Sequence, residues 1–390
     1  MPRTPASKST KFKSATEAAE VRLPRHRQVY EALMGDIVSG RLQPGDRLPT
    51  EAELAKSFSA SRSTVARAMR DLKSRGLLLR QRGGGTHLAK QDTRRIALFA
   101  PYTSTPSELG FIGGQIHGHL SELAAQRGDH LRLQLLARPE SGDHHDEMLA
   151  AAQTLIQQSV SGVFYYPVEL PQDQMHYNQL VVDKLRSAGI AVVAIDRDIV
   201  SFPQRSALPL VTYDNRRAGY LLADHMVRQG CKRIVFVGLP FVSSVASDRM
   251  RGYLEALADH RLPIDYALIV SAQLDELTAD FVKDIVERLK PDGIVCKQDH
   301  YAALISRHLS GMGVTIGKDI RLAGFDNQPF AGLLTVPLTT IRFPFEPFVR
   351  VCYDRLTAQM DDASAASLGM SLIDVELVVR ASTTGEATDA

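Results

Sequence analysis

Arg62, Ser63, Arg67 and Arg70 recur at a spacing that places them on one side of a helix, while Val65, Ala68, Met69 and Leu72 take the other. Arginines displayed in that way can donate to DNA phosphates and to the paired acceptors of guanine. A second charged set lies far along the chain: Asp196 with Arg197, then Arg249, Asp299 and Asp326, mostly just beyond short apolar runs. Carboxylates and guanidiniums at strand ends offer paired, charge-assisted hydrogen bonds to vicinal hydroxyls, which suits a polyhydroxylated ligand. Polar residues also end strands without binding anything, and a basic helix face is often merely solvated.

No comparable constellation serves catalysis. There is no G-x-G-x-x-G after a strand, no G-x-S-x-G and no H-E-x-x-H, so an enzyme is not expected. Asp143, His144, His145, Asp146 and Glu147 read as a solvated helix start, where the dipole favours acids, and they lack a second ligand pair at a recognised metal spacing. The glycines at 83–85 lack the Lys-Ser/Thr of a phosphate loop. Cys231, Cys296 and Cys352 stand far apart beside apolar neighbours and read as buried free thiols. Neither metal nor cofactor is expected.

The elements that would position the arginines are well marked. Thr50 and Glu53 form a capping box before Leu54, Ala55 and Phe58, and Ser61 is a good N-cap for the arginine-bearing helix. Upstream, Val29, Leu33 and Ile37 give Arg27 to Ser39 an apolar stripe that closes at Gly40. Downstream, residues 77–80 and 85–89 read as a hairpin around the basic tip Arg82, Gly83 and Gly84. Residues 23–89 therefore read as a winged helix-turn-helix. Charge divides the chain in the same place. Residues 1–90 hold 18 Lys+Arg against 8 Asp+Glu, whereas the whole chain is only +2. A chain that segregates positive charge at one end is expected to meet a polyanion with that end. Residues 1–22, with Lys8, Lys11 and Lys13, read as a disordered basic tail. No apolar run spans a membrane and no signal peptide is recognisable, so a cytoplasmic location is expected.

After a short charged linker, residues 90–95, apolar runs of four to six residues alternate with amphipathic segments, the pattern of parallel sheets with helices on both faces. The predicted fold class is thus α/β, a winged helix-turn-helix followed by a two-lobed body at 96–383 and a tail at 384–390. Lobe one is placed at about 96–209 and 341–362, lobe two at about 210–337 and 370–383. Strands are predicted at 96–99, 131–136, 162–166 and 191–195, then at 233–237, 268–270, 293–296 and 320–323. Second-lobe helices are predicted around 215–228, 246–259, 276–289 and 301–312. Ligands of open α/β sheets bind beyond the carboxyl ends of the strands, where the charged set falls.

The segments PGDRLPTE, SRSTV and GGGT, in this order between about Pro24 and Ala89, resemble the DNA-binding domain of GntR-family regulators. The resemblance implies that Arg62, Ser63, Thr64 and Arg67 meet the major groove and Arg82, Gly83 and Gly84 the adjacent minor groove. Ala52 departs from the family, where an Arg or Asn often follows the glutamate of the LP-x-E segment. The segments AVVAIDR, VTYDNRRAGYLLADHMVRQGCKRIVFVG, SDRMRGYLEAL, PDGIVCKQDHYAALI, DIRLAGFDN, LTTIRFP and VVRAST resemble the LacI/GalR repressors, whose effector domain is periplasmic-binding-protein-like. This second resemblance implies an effector site lined by Asp196, Arg197, Arg249, Asp299 and Asp326. Lys297 and Gln298 depart from the usual residues before the aspartate. Tyr102 and Phe111 are placed either to stack on a sugar face or to pack in the core.

The pairing as a whole resembles AraR-type arabinose repressors. It implies a homodimeric repressor that binds a palindromic operator in double-stranded DNA and is released by a small sugar, such as the pentose arabinose, with no membrane partner. The alternative is a sugar- or nucleoside-binding regulator that activates, or that acts through protein contacts. The linker lacks the apolar face of the minor-groove hinge helix typical of LacI relatives, so coupling between head and body is expected to differ.

Overall fold

The computed structural model describes residues 24–385 except 40, 44, 75–76, 82–84, 89–93, 101–109, 137–144, 169–175, 239–243 and 363–368. The chain divides into two compact units, Met1–Asp92 and Thr93–Ala390. The basic tail expected at 1–22 lies outside the described residues, as does most of the expected linker.

The first unit contains α1 (Arg25–Val38), α2 (Glu51–Ser57), α3 (Arg62–Ser74), β1 (Leu78–Gln81) and β2 (Gly85–Leu88). Thr50 Oγ1 accepts from Glu53 N at 3.3 Å, and Thr50 N donates to the Glu53 carboxylate at 2.7 Å, so the capping box starts α2 as its sequence dictates. Ser61 Oγ accepts from Thr64 N at 3.2 Å and starts α3. β1 and β2 pair antiparallel, Leu78 opposite Leu88, and the loop before α2 adds to β2 through Leu48 N to Thr86 O and Leu88 N to Asp46 O, both at 2.8 Å. The apolar faces of all five elements, among them Val29, Leu33, Leu54, Val65, Leu72, Leu78 and Leu88, meet in one buried cluster. These pieces build a winged helix-turn-helix.

The second unit holds two six-stranded sheets. In chain order its elements are β3 (Arg95–Ala100), α4 (Gly110–Arg127), β4 (His130–Leu135), α5 (His145–Gln157), β5 (Gly162–Tyr165), α6 (His176–Ser187), β6 (Ala191–Ile195), β7 (Leu210–Tyr213), α7 (Asn215–Arg228), β8 (Ile234–Gly238), α8 (Ser244–Asp259), β9 (Ile269–Ser271) and α9 (Ala279–Asp284). They continue with β10 (Gly293–Cys296), α10 (Asp299–Gly311), β11 (Arg321–Phe325), β12 (Thr339–Arg342), α11 (Phe345–Asp361), β13 (Met370–Ile373), β14 (Glu376–Val378) and α12 (Ala381–Thr384). The predicted helix at 276–289 begins late because Thr278 caps it, accepting from Phe281 N at 3.3 Å, and its last turn, Ile285–Leu289, is π-helical.

The first sheet runs β13-β7-β6-β5-β3-β4 and is entirely parallel; the second runs β14-β12-β11-β10-β8-β9, with only β14 antiparallel. Strands in corresponding positions therefore match: β6 with β11, β5 with β10, β7 with β12. The lobe boundaries differ from those read in the sequence. Residues 210–213 and 370–373 belong to the first sheet, and 339–342 to the second. Such four-residue strands carry no mark of their sheet; pairing decides it, β7 beside β6 and β12 beside β11. The chain crosses between lobes at Asp214, at Phe343–Pro344 and at Asp374–Val375. These crossings are packed: the Tyr213 ring lies 4.8 Å from Phe343 and 4.6 Å from Phe348, and Arg217 at the start of α7 pairs with Asp374.

Candidate functional site

In the first unit, α3 buries Val65, Ala68, Met69 and Leu72 and exposes Arg62, Ser63, Arg67 and Arg70. Thr64 is half-buried. Its hydroxyl and that of Ser63 each lie 2.8 Å from Ser61 Oγ, so the start of the helix is tied into a small hydroxyl cluster. A shallow pocket of about 350 Å³ is lined by Ser63, Thr64 and Arg67 together with Arg25 and His26 of α1. The sequence reading missed Arg25 and His26; the basic pair at the start of α1 was its available signal. The expected wing-tip residues Arg82, Gly83 and Gly84 lie outside the described residues.

In the second unit, equivalent strands β6 and β11 each end in an aspartate with left-handed backbone, Asp196 at φ 69° and Asp326 at φ 103°. Non-glycine residues reach this region at a cost of about 1–3 kcal/mol, and it persists where the surroundings hold it. Here the next strand does so, because Asp196 N donates to Val211 O at 2.8 Å and Asp326 N to Ile341 O at 3.0 Å. The two carboxylates then differ. Asp196 Oδ2 accepts from Arg197 Nη2 at 2.7 Å and from Tyr166 OH at 2.8 Å. Asp326 is 3% exposed, and neither oxygen has a hydrogen bond of good geometry among the described residues; Arg249 Nη2 stands 3.6 Å from Oδ1, and the Gln328 side chain lies close enough to favour the charged form. Burial pushes the Asp326 carboxyl up, opposed by Arg249 and His300 and reinforced by Asp196 from the other lobe.

Arg249 is 7% exposed and heavily held. Nε donates to Asn215 Oδ1 at 3.1 Å and Nη1 to the Lys297 carbonyl at 2.8 Å, while its guanidinium carbon lies 4.6 Å from the Phe325 ring and 5.0 Å from that of Phe343. Burial lowers its pKa, and the nearby carboxylates Asp326, Asp196 and Asp299 oppose that shift. An arginine so placed stays charged.

Asp299 is placed differently from the sequence expectation. It is 0% exposed, and both oxygens are engaged within its own lobe, by Thr340 Oγ1 at 2.7 Å and Gln328 N at 2.8 Å. It braces the turn that carries Asp326. Phe111 packs edge-to-face on Phe345 at 5.9 Å, and Phe345 stacks with His119 at 6.0 Å. Phe345, His119 and Asp326 line one cavity of about 350 Å³ that spans both lobes, within the usual range for a small-molecule site. Tyr102 lies outside the described residues, as do Asp143 and His144; His145 pairs with Asp146 at the start of α5. Two residues of this site escaped the sequence reading. Tyr166 follows β5 and obeys the same strand-end rule, whereas Asn215 was hidden because β7, which precedes it, was not recognised.

Fold and site define the class: a winged helix-turn-helix head and a two-lobed body with charged side chains buried beside its strand ends. Residues 25–88 match the family described as bacterial regulatory proteins, gntR family, and residues 223–383 match a periplasmic binding protein-like domain. The chain is 27% identical over 377 residues to an arabinose metabolism transcriptional repressor of Geobacillus stearothermophilus, covering 93% of this chain and 99% of the relative. Among solved structures, the body resembles a periplasmic binding protein/LacI transcriptional regulator of Alkaliphilus metalliredigens in complex with D-xylulofuranose, at 24% identity and a TM-score of 0.57 over 74% of this chain and 99% of that one. The chain also resembles the transcriptional regulator CelR in complex with cellobiose, at 18% identity and a TM-score of 0.63 over 86% of this chain and 100% of that one. The chain thus joins a domain that matches the gntR family of bacterial regulatory proteins to a domain that matches the periplasmic binding protein-like family.

Proposed function

We propose that this protein is a repressor released from its operator by a small neutral sugar, with a pentose such as arabinose as the leading effector. The single observation that carries the reading is Asp326. A buried carboxylate whose two oxygens lack a hydrogen bond of good geometry keeps strong acceptor capacity for a ligand, and vicinal hydroxyls are donors that fit it. The two ion pairs, Asp196 with Arg197 and Arg249 with Asp326, balance in charge, which suits an uncharged polyol better than a phosphate ester. The name of the Geobacillus relative points the same way.

In this reading Asp196, Arg197, Arg249 and Asp326 bind the sugar, Tyr166 orients Asp196, and Phe111 lends apolar surface, while Asp299 acts from behind; Tyr102 is a further candidate to stack on the sugar. Arg62, Ser63, Thr64 and Arg67, with the wing at Arg82, Gly83 and Gly84, read the operator. The head spans 23–89 and the body about 96–383. Two bodies dimerise and hold two heads on a palindromic site, and sugar-induced closure of the cleft disturbs their spacing.

The test is a thermal-shift panel of pentoses, hexoses, sugar phosphates and nucleosides on the full chain, with an extrinsic dye because the sequence has no tryptophan. A neutral sugar at a hundred times its Kd should add about 2.7 kcal/mol. The shift should vanish in Asp326→Asn. A larger response to a nucleoside or a phosphorylated sugar would refute the assignment.

A further inference from the structure

Helices α7 and α8 meet more closely than side-chain packing allows. A Cβ built on Gly219 would lie 1.9 Å from the carbonyl oxygen of Arg249, and one on Gly252 would lie 1.8 Å from the carbonyl oxygen of Arg216 and 2.7 Å from Tyr220 N. The contact is reciprocal: each glycine receives the carbonyl of the residue three positions before the other. Neither glycine has unusual backbone angles, so the requirement is for space and not for conformation.

The residue whose carbonyl enters the Gly219 notch is Arg249 itself. One turn earlier on α7, Asn215 accepts from Arg249 Nε at 3.1 Å and donates through Nδ2 to the Tyr213 carbonyl at 3.2 Å. Helix α7 therefore holds both ends of this arginine, the main chain at Gly219 and the guanidinium at Asn215. Asn215 directly follows the first crossing between lobes, and the same guanidinium lies over Phe343 at the second. On the outer side, Arg216 and Glu255 form a two-point ion pair at 2.8 and 2.9 Å, and Tyr220 OH donates to Asp259 at 3.0 Å. The helix pair thus has contacts independent of Arg249.

From this we infer that Gly219 and Gly252 are positioning residues of the effector response: their missing side chains let Arg249 reach Asn215, Phe343 and Asp326 together. The inference rests on the effector reading above. A methyl at either position must part the helices by about 1 Å to reach even a 3.0 Å contact, enough to draw the guanidinium away from the carboxylate it faces.

The experiment uses the full chain as Gly219→Ala, Gly252→Ala and Asn215→Leu, with arabinose as probe. Calorimetry reads its Kd, and fluorescence anisotropy reads operator binding without sugar. Both glycine variants should weaken arabinose at least tenfold and leave sugar-free operator binding within about twofold. Asn215→Leu leaves the glycine contact intact and should show the same split. Unchanged arabinose affinity in Asn215→Leu, or in a folded glycine variant, would overturn the inference while the effector reading stands. A wild-type chain that ignores arabinose and every other sugar would overturn both.

Discussion

Replacing Asp299 with asparagine should stabilise the body at pH 8 and do so less than half as much at pH 5. The carboxyl is fully buried, and burial is the main reason it is pushed up to about 7 from 3.8; hydrogen bonds from Thr340 and Gln328 N pull it down, and the neighbouring Asp326 charge pushes it up. Between those two pH values the folded chain keeps a proton that the unfolded chain has released. Stability must therefore fall as pH rises through that window, and above pH 7 the whole difference is lost. Each pH unit is worth about 1.4 kcal/mol, so the ionised carboxylate costs on the order of 4 kcal/mol at pH 8. Asparagine removes the charge and keeps the geometry. Its carbonyl can accept from Gln328 N, and its amide can donate to Thr340 Oγ1, a hydroxyl able to act as acceptor. Thermal unfolding of wild type and Asp299→Asn from pH 5 to 8.5 at fixed ionic strength should give curves about 2 kcal/mol apart at the acid end that diverge further with rising pH. At roughly 2–4 °C per kcal/mol for a domain of this size, the variant should melt about 8–16 °C higher at pH 8. Parallel curves, or curves that converge with rising pH, would show that Asp299 carries no buried charge and would refute the electrostatic account of this turn.

Two further expectations concern the head. Arg67→Ala removes an exposed guanidinium from the outer face of α3; if it contacts a phosphate, operator affinity should fall for all sequences alike and the slope of log affinity against log salt should flatten by about 0.9, whereas a guanine contact would cost about 1–3 kcal/mol at one base pair only, a contrast that binding to operator variants at several salt concentrations resolves. Thr50→Ala removes the side-chain half of the capping box and should weaken the head by about 1 kcal/mol, seen as faster hydrogen exchange within 25–88 and unchanged exchange in the body.

Much of the head was legible because its information is local. A capping box, an N-cap and an apolar stripe fix where α2 and α3 begin and which face of α3 stays outside, and Arg62 and Arg67 lie where that periodicity put them. The body's alternation of strands and helices was legible for the same reason, and the strand-end rule led to Asp196 and Asp326. Unequal fates of similar carboxylates were not legible. Asp196 is satisfied by its neighbour Arg197 and by Tyr166 from another strand, Asp326 is left without a hydrogen bond of good geometry, and Asp299 is enclosed by Thr340 from 41 residues away.

Local pattern in the chain is enough to specify two units, their element types, the basic outer face of α3 and the charged strand ends of an α/β body. These follow from backbone hydrogen bonding and from apolar periodicity over a few turns of chain. Only the tertiary structure decided which sheet takes Leu210–Tyr213, Thr339–Arg342 and Met370–Ile373, and therefore where the chain crosses between lobes. It alone brought Asn215, Arg249 and Asp326 together through the contact at Gly219 and Gly252. Strand pairing and the close approach of two main chains join residues far apart in sequence, and no local pattern records such partners.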